Sequence, residues 1–280
     1  MILVTGGSGQ VGTELIYKLV KLDRKFDAPT RTQLSIDSPE QIEAYLENRQ
    51  LEAIFHLAAE TNVDFCETNR EIALTRNFEA TRVLTEAANK QHIPLVFVSS
   101  SSVVSGDGQF LHSESANFSP ANYYGHTKML AEQFITSESD NFLILRAGWM
   151  LGHGSKVKKF AEVAYEKISM GEPFSAVFDK FGSLSDAASL ANLILDIYDR
   201  KVNDTLHYAS FTPCSRYEVA KHIKHFLGSD SEIQPVSSSN FVLPAPRGFS
   251  EGLNGTKIEE LLMIKPKTWE EELTIYLEAL

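Results

Sequence analysis

Cysteine is scarce in this 280-residue chain. Cys66 and Cys214 are the only two, far apart and in no CxxC spacing, which excludes a disulfide framework and a cysteine zinc site. Positive charge is also short: 26 Lys and Arg stand against 37 Asp and Glu, for a formal net charge of -11. That balance argues against a surface that neutralises nucleic-acid phosphates or anionic lipid. No apolar run approaches the roughly 20 residues that span a bilayer. The opening "MILVTGGSGQVG" has no basic residues ahead of it and reaches glycines where a signal peptide needs a long apolar stretch. These absences lead us to expect a cytoplasmic protein with no nucleic-acid or membrane partner. Internal repeats and low-complexity tails are lacking as well, and the length fits one large α/β unit or two smaller domains.

What is present begins at once. Ile2 to Val4 form a short apolar run, Gly6, Gly9 and Gly12 follow as G-x-x-G-x-x-G, and Leu15, Ile16, Leu19, Val20 and Leu22 then recur at helical spacing. Strand, glycine turn and helix in that order make a dinucleotide site. Missing Cβ atoms let the backbone approach a pyrophosphate, and free N–H groups at the helix start face its charge. "VTGGSGQVG" resembles the T-G-x-x-G-x-x-G opening of the extended short-chain dehydrogenase/reductase superfamily. The stretch "KFDAPTRTQLSID" places Thr30 and Arg31 where the second strand is expected to end. A guanidinium there suits a 2′-phosphate and favours NADPH, while Asp27 keeps NADH open.

Helical and strand patterns then alternate through "NFLILRAG", as in an α/β doubly wound, Rossmann-type parallel sheet. Ligands of such sheets lie beyond the carboxyl ends of the strands. Past Gly148 the elements shorten and glycine and proline recur. The expected division is a cofactor-binding domain over 1–148 and a smaller substrate-binding lobe over 149–280, interleaved through a helix near 185–200 that can return to the first domain. The oligomeric state stays open, a homodimer included.

In "NYYGHTKMLAE", Tyr124 and Lys128 are four residues apart and share a helical face, whereas Tyr123 points elsewhere. An ammonium beside a phenol lowers the phenol pKa from about 10 and makes it a usable proton donor. A serine hydroxyl nearby would hold a carbonyl oxygen. The order of glycine turn, serine-tipped strand and Tyr-x-x-x-Lys helix resembles the Ser/Thr, Tyr, Lys triad of the same superfamily. Its S-x-x-V strand tip, set on Val103, implies Ser100 for the serine, with Ser99 the nearest competitor.

Further stretches are similar to the dTDP-4-dehydrorhamnose reductase family: "HLAAETNVDFCE", "SSSSVVSGDG", "SPANYYGHTKMLAE", "LILRAGWMLG", "FDKFGSLSDAASLANLI" and "FVLPAPRGFSEGLNGTKI". This resemblance implies NADPH-dependent reduction of a 4-keto-6-deoxy nucleotide sugar. Gly6, Gly9, Gln10, Val11 and Gly12 would hold the pyrophosphate, Arg31 the adenosine end, and Ala58, Ala59 and Thr61 the cofactor at the third strand's end. Ser100, Tyr124 and Lys128 would be catalytic, with Lys128 also on the nicotinamide ribose. Ser100, Ser102, Trp149 and Arg247 would meet the substrate, Trp149 by stacking on the sugar and Arg247 at the nucleotide phosphates.

The chain departs from the family pattern on that substrate side. Ser100, Ser101 and Ser102 stand for threonine, aspartate and tyrosine, Lys180 for glutamine and Gly248 for proline, and Thr30 replaces an acidic residue at the cofactor. Two alternatives follow, an epimerase of the same superfamily or a non-catalytic regulatory protein like the regulatory subunit of methionine adenosyltransferase. His222 and His225 lack a third ligand nearby and read as a solvated face rather than a metal site. The basic run Lys156 to Phe160 also reads as a solvated face, with a diphosphate contact as its functional alternative.

Overall fold

The computed structural model describes residues 1–152, 158–263, 265 and 267–280, so Lys156 and Val157 of the basic run lie outside the described residues. Five strands lead the chain: β1 (Ile2–Thr5), β2 (Phe26–Asp27), β3 (Ala53–His56), β4 (Leu95–Ser100) and β5 (Phe142–Ala147). Short strands follow: β6 (Trp149–Leu151), β7 (Phe174–Val177), β8 (Phe181–Gly182) and β9 (Leu184–Asp186). β10 (Asp204–Tyr208), β11 (Cys214–Ser215), β12 (Ile233–Val236) and β13 (Ser250–Glu251) complete the set.

Six strands pair in parallel in the order β10-β5-β4-β3-β1-β2. The chain leaves β1 toward β2 and returns to the other side of β1 with β3. This reversal opens a crevice at the carboxyl ends, as in other doubly wound sheets. Every residue of β1 and β3 is buried, as expected for strands covered on both faces. Alternation divides their side chains between two cores. Ile2 and Val4 join Leu15 and Leu19 of the Gln10–Lys21 helix, whereas Leu3 joins Leu84 and Ile135 on the opposite face.

Leu190, Ala191 and Ile194 of the Ala187–Asp199 helix belong to the same core as Ile2 and Leu15, although they come from the second half of the chain. A separate core joins Leu151, Ala161, Ile168, Val219, Ile223, Leu273 and Tyr276. Two local features differ from the sequence reading. β2 ends at Asp27, so Thr30 and Arg31 fall in the turn after it rather than at its tip. Where the alternating pattern leads one to expect a single helix before β4, a π-helical segment, Thr75–Glu79, stands between Arg70–Leu74 and Ala80–Gln91. Such segments re-aim side chains, and here Arg76 is turned into the crevice.

Candidate active site

The glycine turn is packed too closely for side chains. Gly6 has φ +74°, and a Cβ there would lie 2.6 Å from the Ala58 amide nitrogen. A Cβ on Gly12 would lie 2.2 Å from the Gly6 carbonyl oxygen. Gly9 caps the Gln10–Lys21 helix without a side-chain hydrogen bond, and its first turn holds no acidic residue. The positive end of this helix therefore faces the crevice with no acidic residue in its own first turn. The Gln10 side-chain amide donates to the Gly152 carbonyl and ties the turn to the end of β6.

A cleft of about 460 Å³ runs from this turn across the strand ends. It brings together Gly6, Gly9, Gln10, Val11, Gly12, Arg31, Ala58, Ala59, Thr61, Ser100, Tyr124 and Lys128. Sequence reading did not single out Glu60, Arg76 and Met150, which also line it, and Lys159 of the basic run joins them. Ser102, Trp149 and Arg247 lie outside its lining.

At one end, the exposed Arg31 pairs with Asp37 at 2.9 Å. Arg76 bonds the same carboxylate and also Glu60 at 2.8 Å. Burial works against the Asp37 charge, yet Arg31, Arg76 and Ser35 bring its pKa down to about 2. Asp27, the group that kept NADH open, accepts from the Tyr45 hydroxyl and from Arg49, each at 2.8 Å, and does not line the cleft. Arg31 and Arg76 line this end of the cleft together with Glu60, whereas Asp27 does not.

At the other end, Asn122 starts the Tyr123–Glu138 helix by accepting from the Gly125 amide at 3.0 Å. This start puts Tyr124 and Lys128 on its inward face, both buried. Tyr123 turns away, with the Arg70 guanidinium 4.9 Å from its ring centre. Both competing serines border the cleft, but their hydroxyls have different partners. Ser99 is buried and donates to Glu132, whereas Ser100 accepts from the Ser102 amide at 3.2 Å.

The electrostatics differ from the expectation for the pair. Burial pushes the Tyr124 phenol up to about 12. A hydrogen bond to Ser100 opposes this, and Glu251, Cys66 and Glu60 add to it. Burial also lowers Lys128 to about 7, partly offset by Glu132. The Lys128 ammonium group donates to the Val98 carbonyl at 2.9 Å and lies 3.8 Å from the Phe97 ring centre. Desolvation outweighs the mutual effect expected from spacing alone, so the phenol keeps its proton and the lysine gives one up easily.

Beyond the serine tip, the Ser102 hydroxyl donates to Glu251 at 2.7 Å, and Trp149 Nε1 donates to the other oxygen of that carboxylate at 2.6 Å. Arg247 pairs with Asp64 at 3.0 Å, and Lys180 donates to the Arg247 carbonyl at 3.0 Å. His222 lies apart from all of these, bonded to Thr274 at 2.9 Å.

A parallel doubly wound sheet, a glycine cradle at an uncapped helix start, and a serine and tyrosine at the far end of one cleft define a dinucleotide-binding α/β protein with carbonyl chemistry in reach. The chain belongs to the RmlD substrate binding domain family, whose model matches residues 1–280. It is 27% identical over 286 residues to the dTDP-4-dehydrorhamnose reductase of Mycobacterium tuberculosis, covering 99% of this chain and 92% of that protein. The crystal structure of dTDP-4-dehydrorhamnose reductase from Yersinia enterocolitica superposes with a TM-score of 0.94 at 35% identity, covering 99% of this chain and 98% of that one. The Bacillus anthracis dTDP-4-dehydrorhamnose reductase, solved in complex with NADP, gives a TM-score of 0.91 at 25% identity and covers 100% of this chain and 99% of that one.

Proposed function

We propose that this protein is an NADPH-dependent reductase of a 4-keto-6-deoxy nucleotide sugar, acting in the manner of dTDP-4-dehydrorhamnose reductase. The observation that carries this reading is the single cleft in which the glycine cradle meets Ser100, Tyr124 and Lys128. The residues fit the cofactor: Cβ atoms at Gly6 and Gly12 would close the backbone approach that a pyrophosphate needs, and the helix's first turn carries no acidic residue. Gly9, Gln10 and Val11 border the same approach, Ala58, Ala59 and Thr61 line the wall opposite, and Arg31 with Arg76 would meet a 2′-phosphate. When bound, NADPH supplies a hydride to the sugar's carbonyl carbon.

The chain's own groups supply the rest. Ser100 donates to the carbonyl oxygen, and Tyr124 gives its hydroxyl proton to that oxygen as the alcohol forms. A phenol at about 12 is fully protonated at neutral pH, so the donor is loaded before the reaction. Lys128 holds the nicotinamide ribose, and its charge follows pH closely because its own pKa lies at about 7. On this reading residues 1–148 hold the cofactor, 149–280 form the substrate lobe, and the Ala187–Asp199 helix returns to the sheet. The buried, unpaired Cys66 and Cys214 agree with a reducing, cytoplasmic setting. Among the described residues no helix is long and apolar enough to cross a membrane.

The test is absorbance of the reduced cofactor with dTDP-4-dehydrorhamnose. NADPH oxidation that Tyr124→Phe abolishes is the expected result. NADPH binding without oxidation, by wild type and variant alike, would overturn the reading.

A further inference from the structure

Glu251 reaches the serine tip from a distant part of the chain. It lies on β13, which pairs with β8 so that Glu251 stands beside Gly182. On the other side of Gly182, β11 places Cys214 opposite it and leads directly into Arg216. Gly182 has no side chain because the Trp149 ring occupies that space: a Cβ there would lie 2.3 Å from the indole. The indole is thereby aimed so that its N–H bonds one Glu251 oxygen, while the Arg216 guanidinium covers its face at 5.1 Å. The other oxygen takes the Ser102 hydroxyl, two residues from Ser100, whose own side chain accepts from the Ser102 amide. A carboxylate from the distant β13 is thus fixed on Ser102, whose amide donates to Ser100, just outside the cleft lining.

Resting on the reductase reading, we infer that Glu251 determines specificity by accepting a hydrogen bond from a donor on the sugar carbon next to the carbonyl. A carboxylate has about four lone-pair positions, and the two bonds to Ser102 and Trp149 leave acceptor capacity toward a ligand. It cannot face the carbonyl oxygen, which is itself an acceptor and is met by Ser100 and Tyr124. The group that reaches it is therefore a donor, and the bond from Ser102 to Glu251, with the Ser102 amide on Ser100, favours one on the carbon next to the carbonyl. In a 4-keto-6-deoxyhexose, C5 carries only the ring oxygen and the methyl group, so the donor is the 3-hydroxyl. The negative charge of Glu251 has a second effect consistent with this placement, since it helps keep the Tyr124 phenol protonated.

The experiment compares dTDP-4-dehydrorhamnose with its 3-deoxy analogue on the NADPH-loaded protein, by kcat/KM and by calorimetric binding. The wild type should prefer the 3-hydroxyl by about 10- to 100-fold, the range expected for a hydrogen bond to a charged acceptor. In Glu251→Gln the preference should shrink to within about threefold of unity. Glu251→Asp keeps the charge, serves if the glutamine variant fails to fold, and should give an intermediate preference. A preference unchanged in both variants, or absent in the wild type, would overturn the inference. Failure of the reductase reading would show separately, as absent turnover of both compounds, and calorimetry would still decide the role of Glu251.

Discussion

The two ends of the site are built from different materials. At the cofactor end the backbone does the shaping: Gly6 and Gly12 are required by atoms 2.6 and 2.2 Å from where a Cβ would sit, and the helix start is a property of the main chain. At the proposed substrate end side chains hold one another, with Ser102, Trp149 and Glu251 bonded together from segments up to 149 residues apart. A backbone cradle tolerates almost no substitution and recognises a group common to all dinucleotides. At the positions after Ser100, where the family pattern has an aspartate and a tyrosine, this chain has Ser101 and Ser102, and Ser102 is held by Glu251 instead.

The strongest attempt to break this contrast is Tyr124→Phe, which lies where the two ends meet. It removes the proposed proton donor while leaving the cradle alone, so kcat should fall by about 10²- to 10⁴-fold with NADPH affinity nearly unchanged. A titration of cofactor fluorescence beside a turnover assay checks both halves of that statement. Gly12→Ala attacks the backbone end instead. The added methyl group would meet the Gly6 carbonyl, and about 1 to 3 kcal/mol of stability should be lost together with NADPH binding. Urea unfolding measures the first and equilibrium dialysis the second.

Acid should also act on the sheet beneath the cofactor. His56 on β3 is buried between Thr5 and Thr81, and His207 on β10 is buried beside Arg146. Burial lowers each to about 3, with Lys128 adding to the effect at His56 and Arg146 at His207. Their folded pKa lies below the unfolded value of about 6.5, so the unfolded chain binds protons that the folded one refuses. Stability is therefore complete above about pH 6.5 and declines toward pH 3, by about 1 kcal/mol per pH unit for each histidine. Thermal melts of the wild type and His56→Gln between pH 4 and 7 should show a shallower acid slope in the variant. The smallest effect is expected from the exposed Arg31. Arg31→Ala should weaken NADPH by up to about tenfold and leave NADH unchanged, because Arg76 remains in the cleft and the lost contact is largely solvent-screened.

The same contrast explains what could be read in the sequence. The glycine spacing, the alternation of strands and helices, and the Tyr124 and Lys128 pair are local patterns, and the chain folds as those patterns suggest. The motif favours Ser100 over Ser99, and in the structure the Ser99 hydroxyl is taken by Glu132. Three features were hidden because they depend on tertiary packing. β2 stops at Asp27, whose carboxylate is drawn off by Tyr45 and Arg49. Arg76 is aimed into the cleft by a π-helical segment with no sequence signature. The phenol and ammonium were expected to adjust one another, yet burial moves both, a quantity that spacing does not carry. Glu251 was equally silent, because its partners are assembled only through Gly182 and the strands beside it.

The most direct test of the central claim follows the transferred hydrogen. With dTDP-4-dehydrorhamnose and NADPH deuterated on its reactive face, mass spectrometry and NMR of the sugar should find one deuterium at C4 for each cofactor oxidised. Unlabelled sugar recovered with the cofactor still reduced, or turnover that consumes no cofactor, would contradict the account.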